Sequence, residues 1–151
     1  MNDKGQATRE LLENTRQGSL GLDQTASLTG KSSDDGLRFS FEYSGFLFAV
    51  RAAAGQQNTS IRFHANLGNM PYTAENPYAR RHAMAVLRSA GRALGGRVVL
   101  TPEQRILLHE SLVIDEPFTP VMLMSRTAKL LVMAKPYLEL LSRFVTPPVV
   151  N

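Results

Sequence analysis

The chain has 151 residues, 43% of them hydrophobic and 20% charged, with a formal net charge of +4 and a pI near 9.8, the size and composition of one globular domain that can close a core. Cysteine is absent, which excludes disulfides, thiolate zinc sites and cysteine nucleophiles. No stretch reaches the roughly 18 consecutive apolar residues of a membrane span, and the opening MNDKGQATRELL lacks the apolar core of a signal peptide, so a cytoplasmic location is expected.

The positive charge lies in the middle of the chain. Residues 51–105 carry Arg51, Arg62, Arg80, Arg81, Arg88, Arg92, Arg97 and Arg105 against Glu75 and Glu103, eight cations less two anions, an excess of +6. Such a surface suits an anionic partner, and equally a solvated basic face.

Residues 1–36 are rich in Ser, Thr, Gly, Asn and Asp, with thin apolar pairs such as Leu11-Leu12. They read as a flexible or partly helical N-terminal segment, with a short helix at 8–13 and a linker, GKSSDDG, at 30–36. From Leu37 the period becomes two. Leu37, Phe39, Phe41 and Tyr43 alternate with Arg38, Ser40, Glu42 and Ser44, the pattern of a half-buried strand. Ser44-Gly45 turns the chain into a second strand, Phe46–Arg51, apolar on both faces. After a loop, AAAGQQNTS, a third strand is marked by Ile61, Phe63, Ala65 and Leu67 and ends near Gly68.

A helix is predicted over 77–94. Ala79, Ala83, Val86, Leu87, Ala90 and Leu94 share one face, while Arg81, Arg88 and Arg92 line up on the other. Asn76 is its N-cap, Pro77 suits the first turn, Gly95-Gly96 supplies the left-handed end, and Gly91 reads as a point of close packing. Residues 97–100 and 105–114 then form a hairpin around Thr-Pro-Glu-Gln. The last helix opens at Thr119-Pro120 and runs to about 144 with a kink at Pro136. It is apolar around much of its girth and needs covering on more than one side. The expected architecture is α+β: one domain over 37–145, an antiparallel sheet in the order (α)βββαββα with the helices packed against it, and a short C-terminal tail at 146–151.

This order resembles the type III secretion chaperone fold and the YbjN-like regulator domains that share it. The likeness rests on the meander LRFSFEYSGFLFAVRAAA and SIRFHANL, the helix PYARRHAMAVLRSAG, the hairpin RVVLTPEQRILLHESLVI and the helix from TPVMLM, which together cover 37–144. It implies a small, non-enzymatic, dimeric protein that binds other polypeptides in extended form. It carries over no functional residue. The chain departs from secretion chaperones in being basic and in lacking a strong amphipathic first helix.

His64, His82 and His109 fall on three different predicted elements without the i, i+4 pairing of a helical metal site. His109-Glu110-Ser111 lacks the second His of a zincin, and no G-x-S-x-G pentapeptide is present. Gly91, Gly95 and Gly96 stand at the end of a helix, where they cannot cradle a phosphate as a glycine loop before a helix does. No catalytic residue, metal or cofactor is therefore expected. The function expected is a non-enzymatic protein-binding module, chaperone-like or regulatory, acting as a homodimer, with Met122, Met124 and Met133 as an apolar contact surface. The alternative is RNA binding through Arg81, Arg88 and Arg92 on the helix. The phenylalanines alternate as core residues, so no base-stacking platform is implied.

Overall fold

A computed structural model of the protein describes residues 29–33 and 36–148. These form six strands and two helices: β1 (Thr29–Ser33), β2 (Gly36–Tyr43), β3 (Phe46–Ala54), β4 (Thr59–Asn69), α1 (Pro77–Ala93), β5 (Val98–Leu100), β6 (Arg105–Ile114) and α2 (Pro120–Leu141). The strands make one sheet in the order β1-β2-β3-β4-β6-β5, every neighbouring pair antiparallel. The α+β class and the run of three strands, helix, strand pair and helix stand as the sequence implies.

The differences have physical causes. The segment expected as linker supplies β1, whose Thr29–Ser33 pair with Gly36–Ser40. A polar strand at a sheet edge needs no apolar alternation, because its backbone hydrogen bonds rather than side-chain burial hold it. The domain thus begins before residue 37. The helix expected at 8–13 lies outside the described residues. Strand β3 continues through Ala52, Ala53 and Ala54, which read as loop from sequence, because ladder partners stand there: Ala52 faces Leu37 of β2 and Ile61 of β4, and Ala53 and Ala54 face Ser60 and Thr59 of β4. Cross-strand context overrides alanine's poor strand preference. The true loop is 55–58, closed by the Gly55 N–H donating to the Asn58 carbonyl at 2.8 Å.

At the first hairpin, Ser44 and Gly45 both take positive φ, 52° and 80°, the two-residue turn whose twist matches that of the strands it joins. Only one face of the sheet is covered. In β3 the residues Phe46, Phe48, Val50 and Ala52 are buried while their alternates are exposed, and β4 buries Ile61, Phe63, Ala65 and Leu67 in the same way. Both helices pack on this face and share one core with it, through Ala83, Leu87 and Ala90 of α1 and Leu123, Leu130 and Leu138 of α2. They lie antiparallel. Tyr78 and His82 at the start of α1 meet Phe144 just past the end of α2, with ring centroids 6.5 and 5.2 Å apart.

The caps of α1 are those expected. Asn76 Oδ1 accepts from the Ala79 N–H at 2.9 Å, and at the other end Gly95 is left-handed, φ 58°, while the Gly96 N–H returns to the Gly91 carbonyl at 3.1 Å. Close packing at Gly91 is not found: a Cβ built there meets no atom within 4 Å. Gly68 is the opposite case. It sits at a bulge where β4 shifts register against β6, with φ 109°, and a Cβ there would fall 2.3 Å from the Thr146 carbonyl oxygen. The first residues of the C-terminal tail therefore lie against the sheet, held next to the buried Val145.

These two glycines predict opposite effects. Gly68→Ala should lose roughly 2 kcal/mol or more through backbone strain and the clash, whereas Gly91→Ala should gain about 0.5–1 kcal/mol from helix propensity alone. Urea unfolding followed by circular dichroism reads both as shifts of midpoint at constant slope.

Candidate functional site

The arginines of the basic middle segment divide by what they touch. Arg80, half-buried, donates through Nη1 to the Pro71 carbonyl and to Gln104 Oε1, each at 3.0 Å. It ties the loop before α1 to the turn between β5 and β6. That turn is already constrained, since Gln104 takes φ 64° and its carbonyl accepts from the Met70 N–H at 2.7 Å. Beside it, Glu103 is fully exposed, and its carboxyl is held below the usual range by hydrogen bonds, first from its own backbone and then from Thr101. Arg97 reaches the carboxylate of Glu110 at 2.5 Å and the Leu94 carbonyl at 2.6 Å. Glu110 lies on the covered face of the sheet, opposite Phe63, with its side chain only 9% exposed. A carboxylate placed there needs a charged partner. Arg80 and Arg97, which from sequence extend the arginine surface of the helix, are thus structural ties.

Arg81, Arg88 and Arg92 are all exposed, on the side of α1 away from the core. One helical residue rises about 1.5 Å, so the three span roughly 16 Å, and the helix contains no acidic residue. The nominated methionines separate: Met122 and Met124 are half-buried, Met122 packing against the core, and Met133 is exposed. Other apolar side chains of this helix are more exposed than any of them, Val121 at 76% and Val132 at 73%, with Leu140 at 42%.

The surface that reading in chain order missed is the uncovered face of the sheet. Register sets Arg38 directly opposite Arg51, and Arg51 directly opposite Arg62, with Ser111 of β6 closing the row. The next row along the strands is Ser40, Ala49, His64 and His109, again in direct opposition. Arg38, Arg51, Arg62, His64 and His109 are exposed. Directly opposed side chains have Cβ atoms about 4.5–5.5 Å apart, so the three arginines form a line roughly 10 Å long. The signal in the sequence is period two. Each arginine is a polar alternate in a strand pattern, but only the register shows that the three meet. Among the described residues, no ion pair engages Arg51 or Arg62.

Set against known protein families, curated proteins and solved structures, the chain matches none. Among the described residues, no group of three or more His, Asp or Glu side chains is placed to hold a metal ion, and no helix is long and apolar enough to cross a membrane.

Like charges directly opposed across strands destabilise a sheet by a few tenths of a kcal/mol or more per pair. Arg51→Glu converts both of its cross-strand pairs to opposite charges and should raise stability by about 1 kcal/mol, or a few degrees in melting temperature for a fold of this size. The gain should shrink in molar salt, where the Debye length falls to about 3 Å. Thermal unfolding of the variant at low and high salt measures it; an unchanged or lower melting temperature at low salt would show that the row carries no repulsion.

Proposed function

We propose that the chain is a non-enzymatic, homodimeric protein-binding module of the chaperone-like or regulatory kind, working in the cytoplasm. The observation that carries this reading is the outward side of α2. Val132, Met133, Pro136 and Leu140 follow one another at the spacing of a single helix face and all four are exposed; Val121, three turns earlier and also exposed, is separated from them on that face by the exposed Ser125 and Lys129. A run of exposed aliphatic side chains along one helix exceeds the scattered apolar residues usual on a monomer surface and suits contact with another chain. Lys135 and Glu139, paired at 3.9 Å and both about half exposed, border it with the polar rim that such contacts carry. The first occupant proposed is a second copy of the chain, which leaves the uncovered sheet faces of the dimer pointing outward.

Analytical ultracentrifugation tests it. The protein should sediment as a dimer, and Val132→Glu combined with Met133→Glu should weaken the dimer at least tenfold, about 1.4 kcal/mol, without changing the far-ultraviolet spectrum, because both side chains are exposed. A wild-type protein that stays monomeric at its highest soluble concentration sinks the reading. A second reading, RNA binding through α1, is favoured by Arg81, Arg88 and Arg92 sharing one exposed face of a helix without acids; it predicts that Arg81→Glu with Arg88→Glu abolishes a binding that falls steeply with salt.

A further inference from the structure

We propose that His64 and His109 form a two-imidazole site for a divalent d-block metal ion, of the zinc and copper class, on the uncovered face of the sheet. The three histidines of the chain are well separated in sequence, and the register of β4 against β6 sets two of them in direct opposition. The kind of pair matters. The His109 N–H donates at 2.8 Å to the carbonyl of Arg97, just before β5, so its backbone groups point away from β4. His64 and His109 are therefore a non-hydrogen-bonded pair, the class in which Cα atoms are about 4.5 Å apart and side chains come closest. Two imidazoles rising side by side from such a pair reach, by rotation about χ1 and χ2, positions where one nitrogen of each lies roughly 2.0–2.1 Å from a shared ion. The ring nitrogens are also free. Among the described residues neither ring makes a hydrogen bond, ion pair or ring contact, and both side chains are exposed, whereas the Nδ1 of His82 lies 2.9 Å from the Tyr78 carbonyl and its ring stacks on Phe144.

The donor set selects the occupant. Imidazole nitrogen suits zinc, copper and nickel, whereas magnesium and calcium take oxygen ligands. No carboxylate stands beside the pair: its own row continues through Ala49 and Ser40, and the rows on either side hold Arg62 with Ser111 and Asn66 with Leu107. The Asn66 Oδ1 is engaged by the Gly68 N–H at 3.0 Å. The protein thus supplies two ligands, water fills the other positions, and the ion exchanges readily, unlike one in a closed four-ligand structural site. Arg62 bounds the affinity. At about 7 Å in water, a guanidinium and a doubly charged ion repel enough to cost roughly sevenfold in binding, and less as salt rises. The second imidazole outweighs this, because the register holds it beside the first at a high effective concentration.

The test is isothermal titration of the full chain, without an affinity tag, with zinc chloride and separately with copper(II) chloride. Each ion should bind at one per chain, and magnesium chloride should not bind. His64→Ala and His109→Ala should each weaken binding roughly tenfold or more, at least the loss that follows removal of a group supporting a metal ligand, and the double variant should be little weaker than either, since one imidazole alone makes no chelate. His82→Gln, which removes the remaining imidazole, leaves the affinity unchanged, and Arg62→Gln tightens it by up to about sevenfold at low salt. Electron paramagnetic resonance of the copper-loaded protein should show coupling to two nitrogens in the wild type and to one in either single histidine variant. Melting curves without metal confirm that each variant is folded. The proposal is overturned if neither ion binds saturably, if either histidine variant binds as the wild type does, which leaves an adventitious ion only, if His82→Gln loses as much as they do, or if one ion binds per two chains, which would place it between copies.

Discussion

Everything in this fold depends on β4 being paired on both sides while burying only one of its faces. It pairs with β3 from Phe48 to Ala54 and with β6 from Arg105 to Ile114, and its alternate residues Ile61, Phe63, Ala65 and Leu67 form the floor on which both helices sit. A slip of one residue in either ladder would turn those four side chains out to water and bring Arg62 and His64 into the core. Burying a charged side chain without a partner costs far more than the slip could recover, so register is strongly specified. The bulge at Gly68 lets the strand change phase at its end, which keeps both Leu67 and Met70 in the core.

The same constraint produces the surfaces. A sheet whose helices all lie on one side leaves its other side to the polar alternates, and here the alternates of three consecutive strands are arginines in register. The helices contribute differently. The buried side of α1 is made of the small residues Ala79, Ala83 and Ala90 with Leu87, and its polar side faces solvent with a line of cations. Helix α2 buries Leu123, Thr127, Leu130, Leu131, Ala134, Leu138 and Leu141 yet still exposes aliphatic groups on the opposite side. Thr127 is tolerated in the core because its hydroxyl donates to the Leu123 carbonyl at 2.8 Å. Three chemically distinct surfaces thus arise from two layers. The proposed dimer contact on α2 and the uncovered face of the sheet lie on opposite sides of the domain.

Charge within the domain is also sorted by depth. Glu110 intrudes on the covered face and is matched by Arg97, whose guanidinium at the same time satisfies the Leu94 carbonyl at the end of α1. Arg80 bridges two loops through oxygen acceptors. A basic composition is therefore not a single property of the chain: part of its cationic charge stitches loops together, and only the remainder is presented to solvent.

The sequence by itself determined what depends on local chemistry: the period-two strands, the amphipathic helix with its Asn76 cap and glycine terminator, the Ser44-Gly45 turn, and the Thr119-Pro120 start of the last helix, which ends at Leu141 rather than near 144. These follow from side-chain alternation and backbone preference within a few residues, and they were legible for that reason. Only tertiary structure decided that GKSS would be an edge strand and that three alanines would continue β3, because backbone pairing with a neighbour outweighs weak propensity. It also decided which arginines are engaged. Arg80 and Arg81 are adjacent in sequence, yet one finds carbonyl and amide oxygens in loops that fold back to it, while the other faces water. The arginine row on the sheet was beyond local reading altogether. Its members are 13 and 11 positions apart, and what makes them neighbours is the register of three strands, which the buried phenylalanines on the other face set.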